Sequence, residues 1–276
     1  MAQISWLCGP ATKENLNSKA QEFGADMTIM DLEDGLARTH KHDGRLRVLE
    51  ELKKGRMANT AVRINNLSDE QGLLDLHFFS YHKVAPDYII IPKFCQLRDC
   101  EIVKEILSPF QANLKIIPVI ESIKGFRFLR NATSMPDYIS SFHFGSADFS
   151  VDMGFDPKKN KLSKYKEELS FLCHELNIPV IDSPYFNIND LTGLRDDCFV
   201  ARELGFYGKI AIHPQQIDVI NSLFKNTKED VRLAHEVIER HGDKNIVKHN
   251  GEMTGPPFIK FAQKVIDSES DKGYIK

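Results

Sequence analysis

Apolar positions along this chain follow two alternating patterns. Short runs rich in Val, Ile, Leu, Met and Phe lie at 4–7, 27–30, 61–64, 88–91, 115–120, 141–144, 179–181 and 209–212 and read as strands. Between them lie stretches in which apolar residues recur every third or fourth position, at 14–23, 45–53, 73–81, 100–107, 124–131, 164–175 and 190–204, with 215–224 after the last run. Strands that alternate with helices form a parallel sheet, since each helix carries the chain back to the same end. Eight such units predict an α/β fold, the closed (β/α)8 TIM barrel.

The chain continues past the eighth unit. Residues 228–240 read as a helix, 245–253 as an irregular or extended piece, and 257–266 as a last helix after the breaker Gly255-Pro256-Pro257. The polar stretch 267–276 reads as a frayed tail. The expected organisation is therefore a barrel domain over 1–226 and a C-terminal helical arm over 227–276, packed on its own barrel or reaching a neighbouring subunit.

Polar residues at the ends of the strands sharpen the picture. Asp31, Glu33 and Asp34 follow the second run, Arg63 closes the third, Lys93 follows the fourth, Glu121 the fifth, Asp148 the sixth, Asp182 the seventh and His213 the eighth. In a barrel these ends converge on one mouth, where barrel enzymes keep their sites. Some of these positions can simply face solvent, because a strand has to end in something polar.

Glu121 and Asp148 follow successive strands, and two carboxylates with open positions between them suit Mg²⁺, which fills its octahedron with substrate and water. Each also has a plainer reading, as a favourable charge at a helix N-terminus. No HExxH or paired-His spacing suggests zinc. In Asp31-Leu32-Glu33-Asp34-Gly35, three carboxylates crowd a strand end and call for compensating positive charge. Asp31 and Glu33 share strand parity and Asp34 turns the other way, so at most two of the three aim inward. Arg63, in an otherwise apolar strand, requires a partner, and its planar fork fits a substrate carboxylate or the acidic cluster itself. Lys93 reads as an electrostatic or structural residue, and His213 as a hydrogen-bonded core residue or a secondary catalytic candidate. Gly145 and Gly154 allow backbone to approach a ligand, but no GxGxxG or Walker pattern follows them.

Composition narrows the function class. At 276 residues, 42% apolar and 27% charged, with 16 Gly and 12 Pro dispersed, the chain can bury a large core and is neither disordered nor low-complexity. A net charge of −3 gives no basic face for nucleic acid or anionic lipid, leaving small molecules or proteins as partners. No apolar run approaches the roughly 20 residues of a membrane span, and the start lacks a basic then apolar leader, so a cytoplasmic location is expected. Five cysteines without a CxxC pair imply reduced thiols, with Cys8 serving packing rather than nucleophilic attack.

Read in order, these segments resemble the citrate lyase β-subunit-like branch of the HpcH/HpaI aldolase family. The resemblance is carried by Met30-Asp31-Leu32-Glu33-Asp34-Gly35, Val62-Arg63-Ile64-Asn65, Ile91-Pro92-Lys93, Ile120-Glu121-Ser122, the stretch from Phe144-Gly145-Ser146-Ala147-Asp148-Phe149 to Asp152-Met153-Gly154, and Gly208 to Ile217. It implies a barrel of the phosphoenolpyruvate/pyruvate class with Mg²⁺ held by Glu121 and Asp148. It further implies Arg63 on the carboxylate of a keto acid, Gly145 beside the substrate, and Glu33 and Asp34 behind them. The implied reaction is carbon–carbon cleavage or formation, between an oxaloacetate-, pyruvate- or glyoxylate-like acid and an enolate, usually of an acyl thioester, in a homotrimer or hexamer. Two positions depart from the family pattern. An Arg after the first strand is replaced by Ala11, and an Asp near the C-terminus by Gly255. Both departures point away from thioester hydrolysis or malate-synthase-like condensation and towards a lyase using a non-CoA or carrier-bound substrate. The rival reading is a metal- and keto-acid-binding subunit without turnover of its own.

Overall fold

The computed structural model describes residues 3–55, 57, 59–158, 162–241, 246–249 and 252–269. Eight parallel strands form a closed barrel: β1 (Ser5–Pro10), β2 (Met27–Asp31), β3 (Thr60–Arg63), β4 (Tyr88–Ile91), β5 (Lys115–Ile120), β6 (Phe142–Phe144), β7 (Val180–Asp182) and β8 (Gly208–Ala211). Closure is made by β1 and β8, with Trp6 opposite Ile210 and Leu7 opposite Ala211.

Side-chain alternation divides the barrel into two cores. Trp6, Met27, Ile29, Ala61, Ile90, Ile117, Val119 and Ile181 point inward and fill the barrel as an apolar plug. The residues between them, such as Leu7, Met30, Val62, Ile116, Phe142 and Val180, point outward into a larger core under the helices. At the C-terminal ends of the strands the inward series continues as Asp31, Arg63 and Glu121, so polar side chains stand on an apolar floor.

The outer helices are α1 (Leu16–Glu22), α2 (Lys41–Lys53), α3 (Glu70–Tyr81), α4 (Leu97–Leu107), α5 (Ile123–Asn131), α6 (Ser146–Asp152), α7 (Ser163–Glu175), α8 (Leu191–Glu203) and α9 (Ile217–Phe224). Helices α2, α3 and α4 each begin a few residues before the onset of their apolar period. Their first turns are mostly polar and so carry little periodicity, and α3 is capped by the Asp69 carboxylate, which accepts the Gln71 amide. Helix α6 has no counterpart in the periodicity: seven residues are too few to show one, and the flanking glycines read as loop.

One expectation is corrected. Asp182 does not face the mouth. It has the opposite parity to Ile181 and lies outside the barrel wall under α7 and α8, where its Oδ2 meets Lys166 Nζ at 2.9 Å and Lys209 Nζ at 2.5 Å. Lys209 also meets Asp197 Oδ2 at 2.5 Å. Burial works against the Asp182 charge, but the two lysines outweigh it and hold the carboxyl below its usual range. A polar residue at the end of a strand carries no sign of which face it takes when a helix supplies a buried counter-charge.

In the C-terminal part, α10 (Lys228–His241) and α11 (Pro256–Glu269) pack on one another through Val231, Ala234, Ala262 and Val265, a small core separate from the barrel's. The stretch read as irregular or extended contains a short antiparallel pair, β9 (Val247–His249) and β10 (Glu252–Thr254). The last helix runs to Glu269, past the expected start of the tail, and residues 270–276 lie outside the described residues. Among the described residues no helix is long and apolar enough to cross a membrane.

Asp182→Asn leaves two buried ammonium groups with half their counter-charge. It is expected to cost about 3–5 kcal/mol of folding stability, read as a lowered urea midpoint with an unchanged slope.

Candidate active site

Asp31 ends β2, and its carboxylate is fully engaged. Oδ1 accepts from the Glu33 amide at 2.8 Å and Arg63 Nε at 2.7 Å, and Oδ2 from the Gly35 amide at 2.7 Å and Arg63 Nη2 at 2.6 Å. The loop after β2 therefore turns around Asp31, and Gly35 has to be glycine: a Cβ there would lie 2.5 Å from Asp31 Oδ2. Asp31 holds one edge of the Arg63 fork. The remaining Nη1 stands 3.4 Å from Glu33 Oε2, and the Arg63 side chain keeps 21% exposure towards the mouth. Burial opposes the Arg63 charge, but Asp31 more than compensates, so the guanidinium stays charged.

Glu33 is buried and Asp34 exposed, as strand parity requires. Burial raises the Glu33 pKa against the pull of Arg63 and Lys93. Lys93 Nζ pairs with Glu33 Oε1 at 3.0 Å. Its backbone is left-handed, φ 53°, a conformation a lysine adopts at a cost. That turn aims the Lys93 amide at Glu121 Oε1, 2.5 Å away. Lys93 thus joins the two acidic groups, one with its side chain and one with its peptide.

Glu121 is nine-tenths or more buried just past β5, and burial, with the nearby Glu33 charge, pushes its carboxyl up to about 8. Beyond the Lys93 amide it accepts no hydrogen bond from the described residues. Gly145 is what gives it room, since a Cβ at that position would fall 2.4 Å from Glu121 Oε2. Sequence reasoning placed Gly145 at the site as an opening for ligand; its contact is with the Glu121 carboxylate. Gly154 does different work, ending α6 with a left-handed φ of 73°. Asp148, exposed in the first turn of α6, is near enough for its charge to help raise Glu121. Helix α6 is fastened to α5 by the Ile123 amide, which donates to Asp152 Oδ2 at 2.7 Å.

The site therefore gathers Asp31, Glu33, Asp34, Glu121 and Asp148 around the cations Arg63, Lys93 and Lys41, whose charge Asp31, Glu33 and Asp34 all reach. The carboxyl groups outnumber the cations by two, and the raised Glu121 carboxyl is one consequence of that excess. No cluster of three or more His, Cys, Asp or Glu suited to a metal occurs among the described residues. Glu121 and Asp148 are the carboxylates of the mouth that could hold a metal, and two carboxylates with other positions left to water or ligand would suit Mg²⁺ rather than a closed zinc site.

Other candidates settle lower. His213 is half-buried and uses Nδ1 to accept the Gln215 amide at 3.3 Å, capping the short 3-10 turn Pro214–Gln216. Cys8 points into the barrel, where burial pushes its thiol up to about 12 and keeps it protonated. His143 was not singled out by sequence. It lies inside the barrel edge-on to Trp6, 4.7 Å between ring centres, and burial pushes its imidazole down to about 3. An inward parity in β6 was the available signal. Lys41 also went unnoticed, since nothing in its neighbourhood marks a buried lysine. Ala11 is wholly buried and donates its amide to the Asp31 carbonyl at 2.9 Å. Gly255 opens α11, its carbonyl accepting the Phe258 amide at 2.9 Å. Both departures from the family pattern are thus packing or capping positions here.

Gly145→Ala keeps an allowed backbone, φ −98°, and is expected to displace the Glu121 carboxylate and weaken Mg²⁺ binding about tenfold or more, measured by calorimetric titration of Mg²⁺. His143 supplies a pH test. Its folded value lies below the ordinary 6.5, so its contribution to stability is intact above pH 6.5 and is lost as the unfolded chain takes up the proton, by about 1.4 kcal/mol per pH unit down to about 3. In His143→Phe the urea midpoint is expected to fall less steeply than wild type between pH 6.5 and 4.5.

Comparison with known proteins places the chain in a family. Residues 5–214 match the family HpcH/HpaI aldolase/citrate lyase, and residues 162–270 match the C-C_Bond_Lyase family of the TIM-barrel fold. A (3S)-malyl-CoA thioesterase of Cereibacter sphaeroides is 31% identical over 246 residues, covering 84% of this chain and 83% of that protein. The mitochondrial citramalyl-CoA lyase of Rattus norvegicus is 26% identical over 283 residues, covering 93% and 83%. The crystal structure of CitE from Mycobacterium tuberculosis in complex with magnesium, acetoacetate and coenzyme A superposes with a TM-score of 0.81 at 20% identity, covering 98% of this chain and 99% of that one. With its barrel, its acidic mouth and the match over most of its length, this chain belongs to the HpcH/HpaI aldolase/citrate lyase family of carbon–carbon lyases, in the citrate lyase β-subunit-like branch.

Proposed function

We propose that the protein is a Mg²⁺-dependent lyase that cleaves, or in reverse forms, a carbon–carbon bond of a 2-hydroxy acid or its acyl thioester, with an oxaloacetate-, pyruvate- or glyoxylate-like keto acid as one product. The observation that carries this reading is the Arg63 fork, one edge locked by Asp31 and the other open beside Glu33, in a mouth where carboxyl groups outnumber cations.

Arg63 takes the substrate carboxylate on its open edge and fixes the orientation of the adjoining hydroxyl-bearing carbon. Glu33 steadies Arg63 and Lys93 from behind, and Asp34 adds negative potential at the rim. Glu121 and Asp148 would hold Mg²⁺, which when bound acts as a Lewis acid on the oxygen that becomes the keto group. On cleavage the hydroxyl gives its proton to water, its oxygen becomes a carbonyl, and the electron pair of the broken bond leaves with the acyl fragment as an enolate, whose carbon then takes a proton from water. The chain's cationic groups meet the charge that develops on the keto-acid side, and the apolar plug beneath keeps water from below.

The magnesium, acetoacetate and coenzyme A held by the Mycobacterium tuberculosis protein support the metal and the substrate class. The CoA esters in the names of the other relatives support a thioester on the acyl side. With Ala11 and Gly255 buried or capping, CoA or an acyl carrier would be anchored by other residues of the rim. The same proposal extends to a cytoplasmic homotrimer or hexamer in which a barrel unit over 1–226 and an arm over 227–276 are distinct.

The test is release of oxaloacetate, pyruvate or glyoxylate from a panel of 2-hydroxy acids, free and as CoA esters, with and without Mg²⁺. Wild type is expected to release a keto acid only with Mg²⁺, and Mg²⁺ to raise its melting temperature. Glu121→Ala is expected to lose both effects, and Arg63→Ala to lose about a hundredfold or more in kcat/KM while keeping the metal-induced shift. Product formed without metal, or metal-linked stabilisation with no product from any substrate, would overturn the lyase reading.

A further inference from the structure

Behind the mouth, α2 and α3 carry buried polar groups that take no direct part in the chemistry above. Lys41, buried in the first turn of α2, donates from Nζ to the carbonyl of Leu32 at 2.7 Å and of Glu33 at 2.6 Å. A cation there opposes the helix dipole, and burying an ammonium is costly, so neither helix propensity nor packing accounts for it. One turn later Arg45, also buried, donates from Nε to Asp75 Oδ1 at 2.6 Å and from Nη2 to Gln71 Oε1 at 2.7 Å. Asp75 in turn accepts from the amide and the side-chain nitrogen of Asn65, at 2.7 and 2.8 Å, two residues beyond Arg63. These contacts tie α2 to the loop that carries Glu33 and, through α3, to the strand end that carries Arg63.

We propose that Lys41 is a positioning residue: by fastening the peptide groups of Leu32 and Glu33 to α2, it sets the direction in which the Glu33 carboxylate meets Arg63 and Lys93, and through them the edge of Arg63 offered to the substrate carboxylate. The role in substrate binding rests on the keto-acid reading above; the hold on the loop does not. The Arg45–Asp75–Asn65 contacts fix the Arg63 side of the same pair; on the Glu33 side Asp31 holds the amides of Glu33 and Gly35, and Lys41 holds the carbonyls of Leu32 and Glu33. Its charge also faces Asp31, Glu33 and Asp34, lowering the repulsion among them.

The experiment compares wild type with Lys41→Met, Lys41→Gln and Lys41→Arg by three measurements: amide hydrogen exchange over residues 31–36, the dissociation constant of oxaloacetate in saturating Mg²⁺, and that of Mg²⁺ alone. In Lys41→Met the Glu33 and Gly35 amides are expected to exchange about tenfold faster or more, with strand amides unchanged. Oxaloacetate affinity is expected to fall about tenfold, while Mg²⁺ affinity stays within about twofold. Lys41→Arg restores most of both losses; Lys41→Gln, which donates hydrogen bonds without charge, restores the slow exchange. Because Lys41 acts through Glu33, adding Lys41→Met to Glu33→Gln is expected to cost oxaloacetate affinity little further. A Lys41→Met protein with a lowered melting temperature but wild-type exchange at 31–36 overturns the proposal, as does full additivity with Glu33→Gln. Should Lys41→Met fail to fold, the Gln and Arg variants carry the same comparison. If wild type itself does not bind oxaloacetate, the keto-acid reading fails, and the exchange data alone decide whether Lys41 holds Glu33 in place.

Discussion

The constraint on which the rest of this structure depends is the excess of carboxylate at one end of an apolar barrel. Five acidic groups and three basic ones share a mouth floored by Trp6, Ile29, Ile90 and Ile117, where water screens charge poorly. Each basic group is already committed. Arg63 is locked by Asp31, Lys93 is paired with Glu33, and Lys41 is turned to two carbonyls. Glu121 is left with a single amide donor, and its carboxyl rises to about 8. A divalent cation between Glu121 and Asp148 would relieve what the protein's own charges do not.

This arrangement is assembled by backbone as much as by side chains. Gly35 and Gly145 each leave the space a carboxylate occupies, and Lys93 adopts a left-handed backbone so that its amide can reach Glu121. The strain at Lys93 is offset locally, because the same residue answers Glu33 with its ammonium group. Acidic groups this close would otherwise push the loops after β2 and β5 apart, and the glycines and the turned lysine keep them in register.

Much of this was legible in the sequence because periodicity and parity are local. The eight runs of apolar residues placed the strands to within a few residues, and parity along Asp31-Leu32-Glu33-Asp34 correctly put Asp34 outside. What stayed hidden depends on partners distant in sequence. Asp182 reads from sequence as a mouth residue, and what turns it outward is its pairing with Lys166 and Lys209 beneath the helices. Lys41 lies in a polar stretch that gives no hint of burial, since its acceptors are backbone carbonyls and every residue has one. Helix α6 was lost between two glycines, one of which serves the Glu121 carboxylate.

The division of labour within Arg63 follows from the same geometry. A guanidinium has two usable edges, and Asp31 takes one with both oxygens at hydrogen-bond distance. The ordering entropy of the side chain is therefore spent on folding, and the second edge reaches the mouth already oriented. Lysine could not replace it, because a single ammonium cannot satisfy both Asp31 oxygens and still present a planar pair of donors to a ligand. Burial opposes the Arg63 charge and Asp31 outweighs it, while the Glu33 and Gly35 amides complete the shell of the Asp31 carboxylate. The orientation of Arg63 thus depends, one hydrogen bond at a time, on the turn that follows β2, and the precision of that turn limits the precision with which its second edge is presented.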